Sequence, residues 1–573
     1  MLLRYRYLYL FLLLAPWASS QAQHPIINYE TRFLPVIASK GMVAAPERLA
    51  AEVGTQILRD GGNAVDAAVA TGFALAVTYP RAGNLAGGGF MMIHLADGNR
   101  QTLIDYRESA PAAATADLFL NAEGEVDRMR QFFSHRAAGT PGTVAGMIYA
   151  LEKYGTMSLR EVLRPAIELA SKGFEVTWAL DYELGNRKER LLANPEAARL
   201  FFDKNGARFP VGSRFRQPDL AWTLKQIQRR GVDGFYAGKV ADRIVADMIA
   251  HDGLMTHQDL IDYKVIEREP VRGTYRGYEI VATPPPSSGG IHIIQILNIL
   301  EGYDVSAWGH NSAAYLHHLT EAMKLAYADR SQYLGDPDYF EVPTARLTDK
   351  EYAASQRSRI DSERATPSAE IQPGIDLPYE SHDTTHYTVA DAAGNVVSNT
   401  YTLNFSFGSH IAVPGTGMLL NNEMADFAAK PGTANAFSLV EGEANTIAPG
   451  KRPLSSMTPT MVFADGEFWL ATGSPGGSTI ITTVLQTILN AMDFNMNIAT
   501  AGAEARIHHQ WMPDKLSLER GISPDTLELL LQRGHNANMS TRTLGRVQSI
   551  QKIDNLLYGA TDTRRPGGWV ATW

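Results

Sequence analysis

The chain has 573 residues, 45% of them hydrophobic and 20% charged, with a formal net charge of −9 and no cysteine. That length provides for a large core and exceeds one small domain. The acidic balance argues against nucleic-acid or anionic-membrane partners, and the missing cysteine excludes disulfides, thiol nucleophiles, thiolate zinc sites and iron–sulfur clusters.

Residues 1–22 read as a secretory signal peptide. Arg4 and Arg6 precede the apolar run Tyr7 to Trp17, and Ser20-Gln21-Ala22 places small residues at −3 and −1 of a cleavage point. The run is too short to span a bilayer. Its removal takes away two positive charges and moves the net charge from −9 to −11. The expectation is a periplasmic or secreted protein with no membrane span in its mature form.

Helical periodicity then predicts helices over Pro46 to Arg59, Ala64 to Val77, Thr143 to Tyr154, Ser158 to Lys172, Gln217 to Gly231, Gly238 to His251 and Ser312 to Tyr333. Strands are expected at Met91 to His94 and Tyr278 to Val281. The stretch from Asn63 to Tyr79 is apolar enough for a membrane, but it carries Asp66 and Gly72 behind an Asn63 cap and reads as a buried helix. Gly87-Gly88-Gly89 leads into the apolar Phe90-Met91-Met92-Ile93, not into a capped helix, so a phosphate loop is not expected. Pro284 to Pro286 followed by Ser287-Ser288-Gly289-Gly290 reads as a rigid loop. Residues 361–383 are rich in Ser, Pro, Glu and Asp and read as a mobile connector. Beyond Thr384 the pattern turns to strands and Gly-rich turns, with late helices at Ile480 to Met492 and Pro524 to Arg533.

The stretch Thr384 to Asn404 carries the chemistry. Two short strands flank an Asp-Ala-Ala-Gly-Asn turn, and a hairpin centred on Ala393 pairs position 384 with position 402. Opposed Cβ atoms lie roughly 4.5–5.5 Å apart, so the Thr402 hydroxyl reaches that of Thr384. A threonine that opens a strand after a polar loop suits an N-terminal nucleophile, whose free α-amine serves as its base once the preceding bond is cut. Before the cut, the Thr384 hydroxyl can attack the carbonyl of Asp383 and shift the chain to an ester that water opens.

Thr384 to Gly408 resembles the signature of the γ-glutamyltranspeptidases. So do Arg107 within Asp105-Tyr106-Arg107-Glu108, the block Leu419 to Phe427, the block Lys451 to Met457, and Gly473-Ser474-Pro475-Gly476-Gly477-Ser478. The blocks fall in family order from about residue 36 to the C-terminus. The resemblance implies a four-layer αββα sandwich of the N-terminal-nucleophile hydrolase type. Two chains would build it jointly: a large subunit of residues 23–383 and a small subunit of 384–573. It implies Thr384 as nucleophile with Thr402 orienting it, and Gly476 and Gly477 as oxyanion donors. Arg107, Asn404, Glu423, Asp426, Ser455 and Ser456 would hold the amino-acid head of the substrate, with Arg107 suited to an α-carboxylate and the two acids to an α-ammonium. Thr385 and His386 are expected to be structural neighbours.

The implied activity is cleavage of glutathione and other γ-glutamyl compounds, with the acyl group passed to water or to an amino acid or dipeptide. No cofactor is expected. His508-His509 with Glu504 fits no strong zinc motif, so no metal is expected either. Phe437 departs from the family, because bacterial relatives carry a tyrosine at that point of the lid loop and phenylalanine cannot hydrogen-bond to Asn404. A cephalosporin (glutaryl) acylase or a poly-γ-glutamate enzyme would use the same machinery on another donor. An exported solute-binding protein would leave that machinery unexplained.

Overall fold

The computed structural model describes residues 31–371, 384–432, 435, 438–440 and 442–573. The signal segment 1–22, the connector from 372 to Asp383, and Phe437 lie outside the described residues.

Alternation along the strands dictates the layers. In β2 (Met42–Ala45), Met42 and Ala44 join one apolar cluster while Val43 and Ala45 join another. In β3 (Gly88–Leu95), Phe90 and Met92 divide from Met91 and Ile93 in the same way. A strand that is apolar on both faces must be covered on both, by a second sheet on one side and helices on the other.

Besides β2 and β3, the main sheets contain β1 (Val36–Ala38), β4 (Arg100–Asp105), β5 (Ile266–Arg268), β6 (Val271–Tyr275) and β7 (Tyr278–Ala282), all before residue 383. From Thr384 onward come β8 (Thr385–Ala390), β9 (Val396–Thr402), β10 (Thr460–Ala464), β11 (Glu467–Gly473), β12 (Gln548–Ile553), β13 (Leu556–Thr561) and β14 (Trp569–Thr572). One seven-stranded sheet runs β1-β13-β12-β11-β10-β7-β6 and the other β14-β2-β8-β9-β3-β4-β5. Both sheets draw strands from either side of position 383. They face one another through β8 and β9 against β12 and β11.

Helices close the sandwich. α1 (Arg48–Arg59), α2 (Ala64–Thr78) and α3 (Thr143–Tyr154) cover the second sheet, with α4 (Leu159–Lys172) packed on α2. α5 (Gly289–Leu300) and α7 (Thr479–Met492) cover the first, with α6 (Ala313–Tyr333) packed on α5. The expected αββα architecture is therefore present. Every residue of α2 is buried, and a reciprocal cap joins Asn63 to Asp66 at its start. No helix among the described residues is long and apolar enough to cross a membrane.

The predicted helices match within two residues. Two misses stand out among several, which include the helix Lys350–Arg357. α5, with the sequence Gly-Gly-Ile-His-Ile-Ile-Gln-Ile-Leu-Asn-Ile-Leu, is buried along its whole length and so shows no amphipathic period. The other is the run of short helices between Trp178 and Phe201. In the connector, residues 361–371 are tied down: His317 Nε2 lies 2.7 Å from the Asp361 carbonyl, and Trp511 Nε1 donates to the carbonyls of Ser368 and Ile371 at 3.0 and 2.8 Å.

Candidate active site

The β8–β9 hairpin has the register expected from the sequence. Thr385 pairs with Tyr401 and Ala390 with Val396, which centres the turn on Ala393. Asp391 makes that turn by accepting the amides of Ala393 and Asn395 at 2.9 and 3.0 Å, and Gly394 adopts φ +88°. Extending the register by one residue sets Thr384 across from Thr402. Both line a small pocket together with Arg107, Asn404, Glu423, Asp426, Ser455, Ser456 and Gly477. Thr384 is 5% exposed. His386 is locked between Thr400 Oγ1 (2.8 Å) and Thr388 Oγ1 (3.0 Å), and burial holds its pKa down at about 3, so it is a neutral packing residue.

Beyond Thr402 the chain turns sharply. Asn404 sits at φ +75°, unusual for a residue with a side chain, and its amide donates to Thr402 Oγ1 at 2.8 Å. Its Nδ2 donates to the Asn422 carbonyl (3.0 Å) and to Asp426 Oδ1 (2.9 Å). Asn404 Oδ1 is buried without a hydrogen-bond partner among the described residues. Glycines at the entry to β3 make room for this arrangement. A Cβ on Gly87 would lie 1.9 Å from the Thr402 carbonyl, and one on Gly88 would lie 2.5 Å from Glu108 Oε2.

One guanidinium faces three carboxylates at the cavity floor. Arg107 Nη1 pairs with Glu423 Oε1, Nη2 reaches Asp426 Oδ2 at 2.6 Å, and Glu108 Oε2 lies 3.7 Å from Nη1. Nε donates to the Pro453 carbonyl at 3.2 Å. All four side chains are buried. Burial pushes the carboxyl of Glu108 up to about 7, and raises those of Glu423 and Asp426 despite the arginine beside them. Both terminal nitrogens of Arg107 are thus already engaged by acids, an arrangement that charge pattern alone does not reveal. Both oxygens of Glu108 and Oε2 of Glu423 lack a hydrogen-bond donor among the described residues. A floor with three buried acids around one arginine, and with spare acceptor oxygens, is suited to a cation.

The opposite wall is backbone and hydroxyl. Arg452 pairs with Asp105 and donates to the Lys264 carbonyl at 2.6 Å, and so anchors the strip Lys451–Met457. Ser455 and Ser456 present themselves from that strip. Gly476 and Gly477 adopt φ +140° and +55° in the turn that starts α7, conformations open chiefly to glycine. This turn brings backbone N–H groups of a helix N-terminus to the cavity.

Sequence reasoning passed over several cavity residues. Arg330, Asn435 and Leu439 line the space, and Glu108, which stood inside a quoted block without a role, lies behind it against Arg107. A signal for Arg330 existed: it is a charged residue three positions after Tyr327 on a helix that is buried along most of its length. The rings of His508 and His509 hydrogen-bond within the protein, to Thr482, Gln510 and Asp514. Two other groups have metal-like proximity among the described residues, His135–Asp247–His251 and His317–Glu321–His535. Neither lines the cavity. Glu321 is already paired with Lys324 at 2.5 Å.

Comparison with known proteins agrees with this geometry. Residues 50–572 match the family described as gamma-glutamyltranspeptidase. The chain is 51% identical over 551 residues to the glutathione hydrolase proenzyme of Escherichia coli (strain K12), covering 96% of this chain and 95% of that one. The solved cephalosporin acylase of Bacillus halodurans superposes with a TM-score of 0.85 at 28% identity, over 96% of this chain and 98% of that one. Helicobacter pylori gamma-glutamyltranspeptidase matches at 46% identity with a TM-score of 0.56, over 58% of this chain and 95% of the solved chain. With the hairpin, the charged floor and the Gly-Gly turn gathered around one cavity, this chain belongs to the γ-glutamyltranspeptidase family.

Proposed function

We propose that the protein is a self-processing γ-glutamyltransferase and glutathione hydrolase. One observation carries this reading: Thr384, at the start of β8, shares a single cavity with the acid-rich floor and the Ser455–Ser456 strip. Cutting the Asp383–Thr384 bond frees an α-amine whose reference pKa of roughly 7.7–8 leaves much of it neutral at working pH. That amine takes the Thr384 hydroxyl proton as Oγ1 attacks the γ-carbonyl of the donor. The N–H groups of Gly476 and Gly477 receive the oxyanion, the amine returns the proton to the leaving amino group, and a γ-glutamyl ester remains. Water or an amino acid or dipeptide then attacks the ester and regenerates Thr384.

Glu423 and Asp426 would receive the donor's α-ammonium, which supplies the positive charge that the floor lacks. Because Arg107 is held by those same acids, the α-carboxylate falls first to the hydroxyls of Ser455 and Ser456, with Arg107 adding its charge behind them. Asn404 and Thr402 would steer the donor and the nucleophile. The proenzyme named among the relatives supports two subunits, residues 23–383 and 384–573. Residues 1–22 support export.

The acylase reading is favoured by one finding, the close superposition on a cephalosporin acylase. A glutaryl donor has no ammonium, so the acid floor argues against it. Hydrolysis of γ-glutamyl-p-nitroanilide and of glutaryl-p-nitroanilide separates the two. A clear preference for the γ-glutamyl donor, with transfer to glycylglycine, is the expected result; a preference for the glutaryl donor would establish the acylase.

A further inference from the structure

The last turns of α6 touch three strips of the cavity. Tyr327 donates its hydroxyl to the Ser478 carbonyl at 2.7 Å, beside the Gly476–Gly477 turn. Ser331 offers its carbonyl to the Gly442 amide at 2.9 Å. Arg330 lies between them on the cavity wall, 1% exposed, and its Nε donates to Ser288 Oγ at 3.0 Å.

Ser288 hands that contact on. Its hydroxyl and its amide both donate to the Ser455 carbonyl, at 3.0 and 2.9 Å. The Ser455 amide in turn donates to the Pro286 carbonyl at 2.8 Å, and Ser287 Oγ donates to the Met457 carbonyl at 2.7 Å. The Pro-rich loop is therefore laid along the Ser455–Met457 strip as a short parallel bridge. Ser455 Oγ accepts the Met457 amide at 3.0 Å, which fixes the oxygen and leaves its proton to point at a ligand.

We propose that Arg330 and Ser288 are positioning residues for recognition of the donor's α-carboxylate. Arg330 fixes the Ser288 hydroxyl, Ser288 fixes the Ser455 carbonyl, and the strip so held aims the hydroxyls of Ser455 and Ser456. The inference rests on the reading that those two serines take the α-carboxylate. It differs from a general packing role in its selectivity. Loosening the relay should weaken binding of donors that carry an α-carboxylate and spare those that lack it. Tyr327, on the same helix, should instead affect every donor through the oxyanion turn.

The test uses the full-length chain with Ser288→Ala, Arg330→Lys, Tyr327→Phe and the double variant Ser455→Ala/Ser456→Ala. Self-processing, read by denaturing electrophoresis, reports folding. Each variant is assayed with γ-glutamyl-p-nitroanilide and with 4-aminobutyryl-p-nitroanilide, the same donor without its α-carboxylate. Ser288→Ala and Arg330→Lys should process normally and raise KM for the first donor by roughly threefold to tenfold, the equilibrium weight of one hydrogen bond. The kcat for that donor, and both constants for the second, should stay near wild type. Tyr327→Phe should lower kcat on both. If the double serine variant discriminates between the donors but Ser288→Ala and Arg330→Lys do not, the relay is wrong and the serine reading stands. Equal losses on both donors, or failed processing in Ser288→Ala, also overturn the relay. If the double serine variant itself treats both donors alike, the reading beneath the relay fails and the relay fails with it.

Discussion

Replacing Asp426 with asparagine probes how the cavity reads its donor. Asp426 accepts from Arg107 Nη2 at 2.6 Å and from Asn404 Nδ2 at 2.9 Å, through different oxygens. Asparagine keeps the shape but only one acceptor, so one of those donors loses its partner at a cost of about 1–3 kcal/mol. The same change relieves the floor. The variant takes away one of the three buried acids crowded around the single guanidinium. The chain should therefore fold and process itself. What it loses is an anionic partner for the α-ammonium, and removing one side of a buried charged pair costs roughly 2–5 kcal/mol. At about 1.36 kcal/mol per decade this is a fall of about 30-fold to 5,000-fold in kcat/KM for γ-glutamyl-p-nitroanilide. Glutaryl-p-nitroanilide, which has no ammonium, should change little. An equal fall on both donors, with processing intact, would refute the assignment of Asp426 to the ammonium.

The acid floor also makes stability depend on pH. Burial raises the folded-state pKa of Glu108 from 4.5 to about 7, so its contribution is complete below about 4.5 and is lost as pH rises through about 7. The melting temperature of the unliganded protein should fall across that window, by the equivalent of at most about 3 kcal/mol, and Glu108→Gln should flatten the fall; an unchanged profile in the variant would contradict the shift. If residue 437 covers the cavity as the resemblance implies, Phe437→Tyr would supply a donor for Asn404 Oδ1, which has no partner among the described residues. A bond there is worth about 0.5–1.5 kcal/mol and should raise transfer to glycylglycine over hydrolysis; an unchanged ratio would mean that the hydroxyl does not reach Asn404.

Much of the fold was legible because local signals agreed with it. The capped, periodic helices and the hairpin register followed from spacing alone, since period and turn chemistry are local properties. α5 was not legible: a helix buried all round has no polar face, and its isoleucines read equally as a strand. The site divides in the same way. Thr384 and Thr402 could be argued from chemistry once the hairpin was seen, whereas Gly476 and Gly477 took their role from the resemblance. Arg107, Glu423 and Asp426 were picked out by resemblance, and their direct pairing across more than 300 positions of sequence became visible only with the two sheets stacked. Arg330 and Ser288 act through residues they touch in space, and nothing in their own neighbourhoods announces that.

The most direct trial of Thr384 as an N-terminal nucleophile is intact-mass analysis with N-terminal sequencing of the wild type, Thr384→Ala and Thr384→Ser. The wild type should give two chains, the smaller running from residue 384 to 573 and beginning Thr-Thr-His-Tyr. Thr384→Ser should process slowly at the same bond, and Thr384→Ala should remain one inactive chain, because it has neither the attacking hydroxyl nor the nucleophile that cleavage exposes. Efficient cleavage before residue 384 in the alanine variant, or an active wild-type enzyme that remains a single chain, would contradict the mechanism outright.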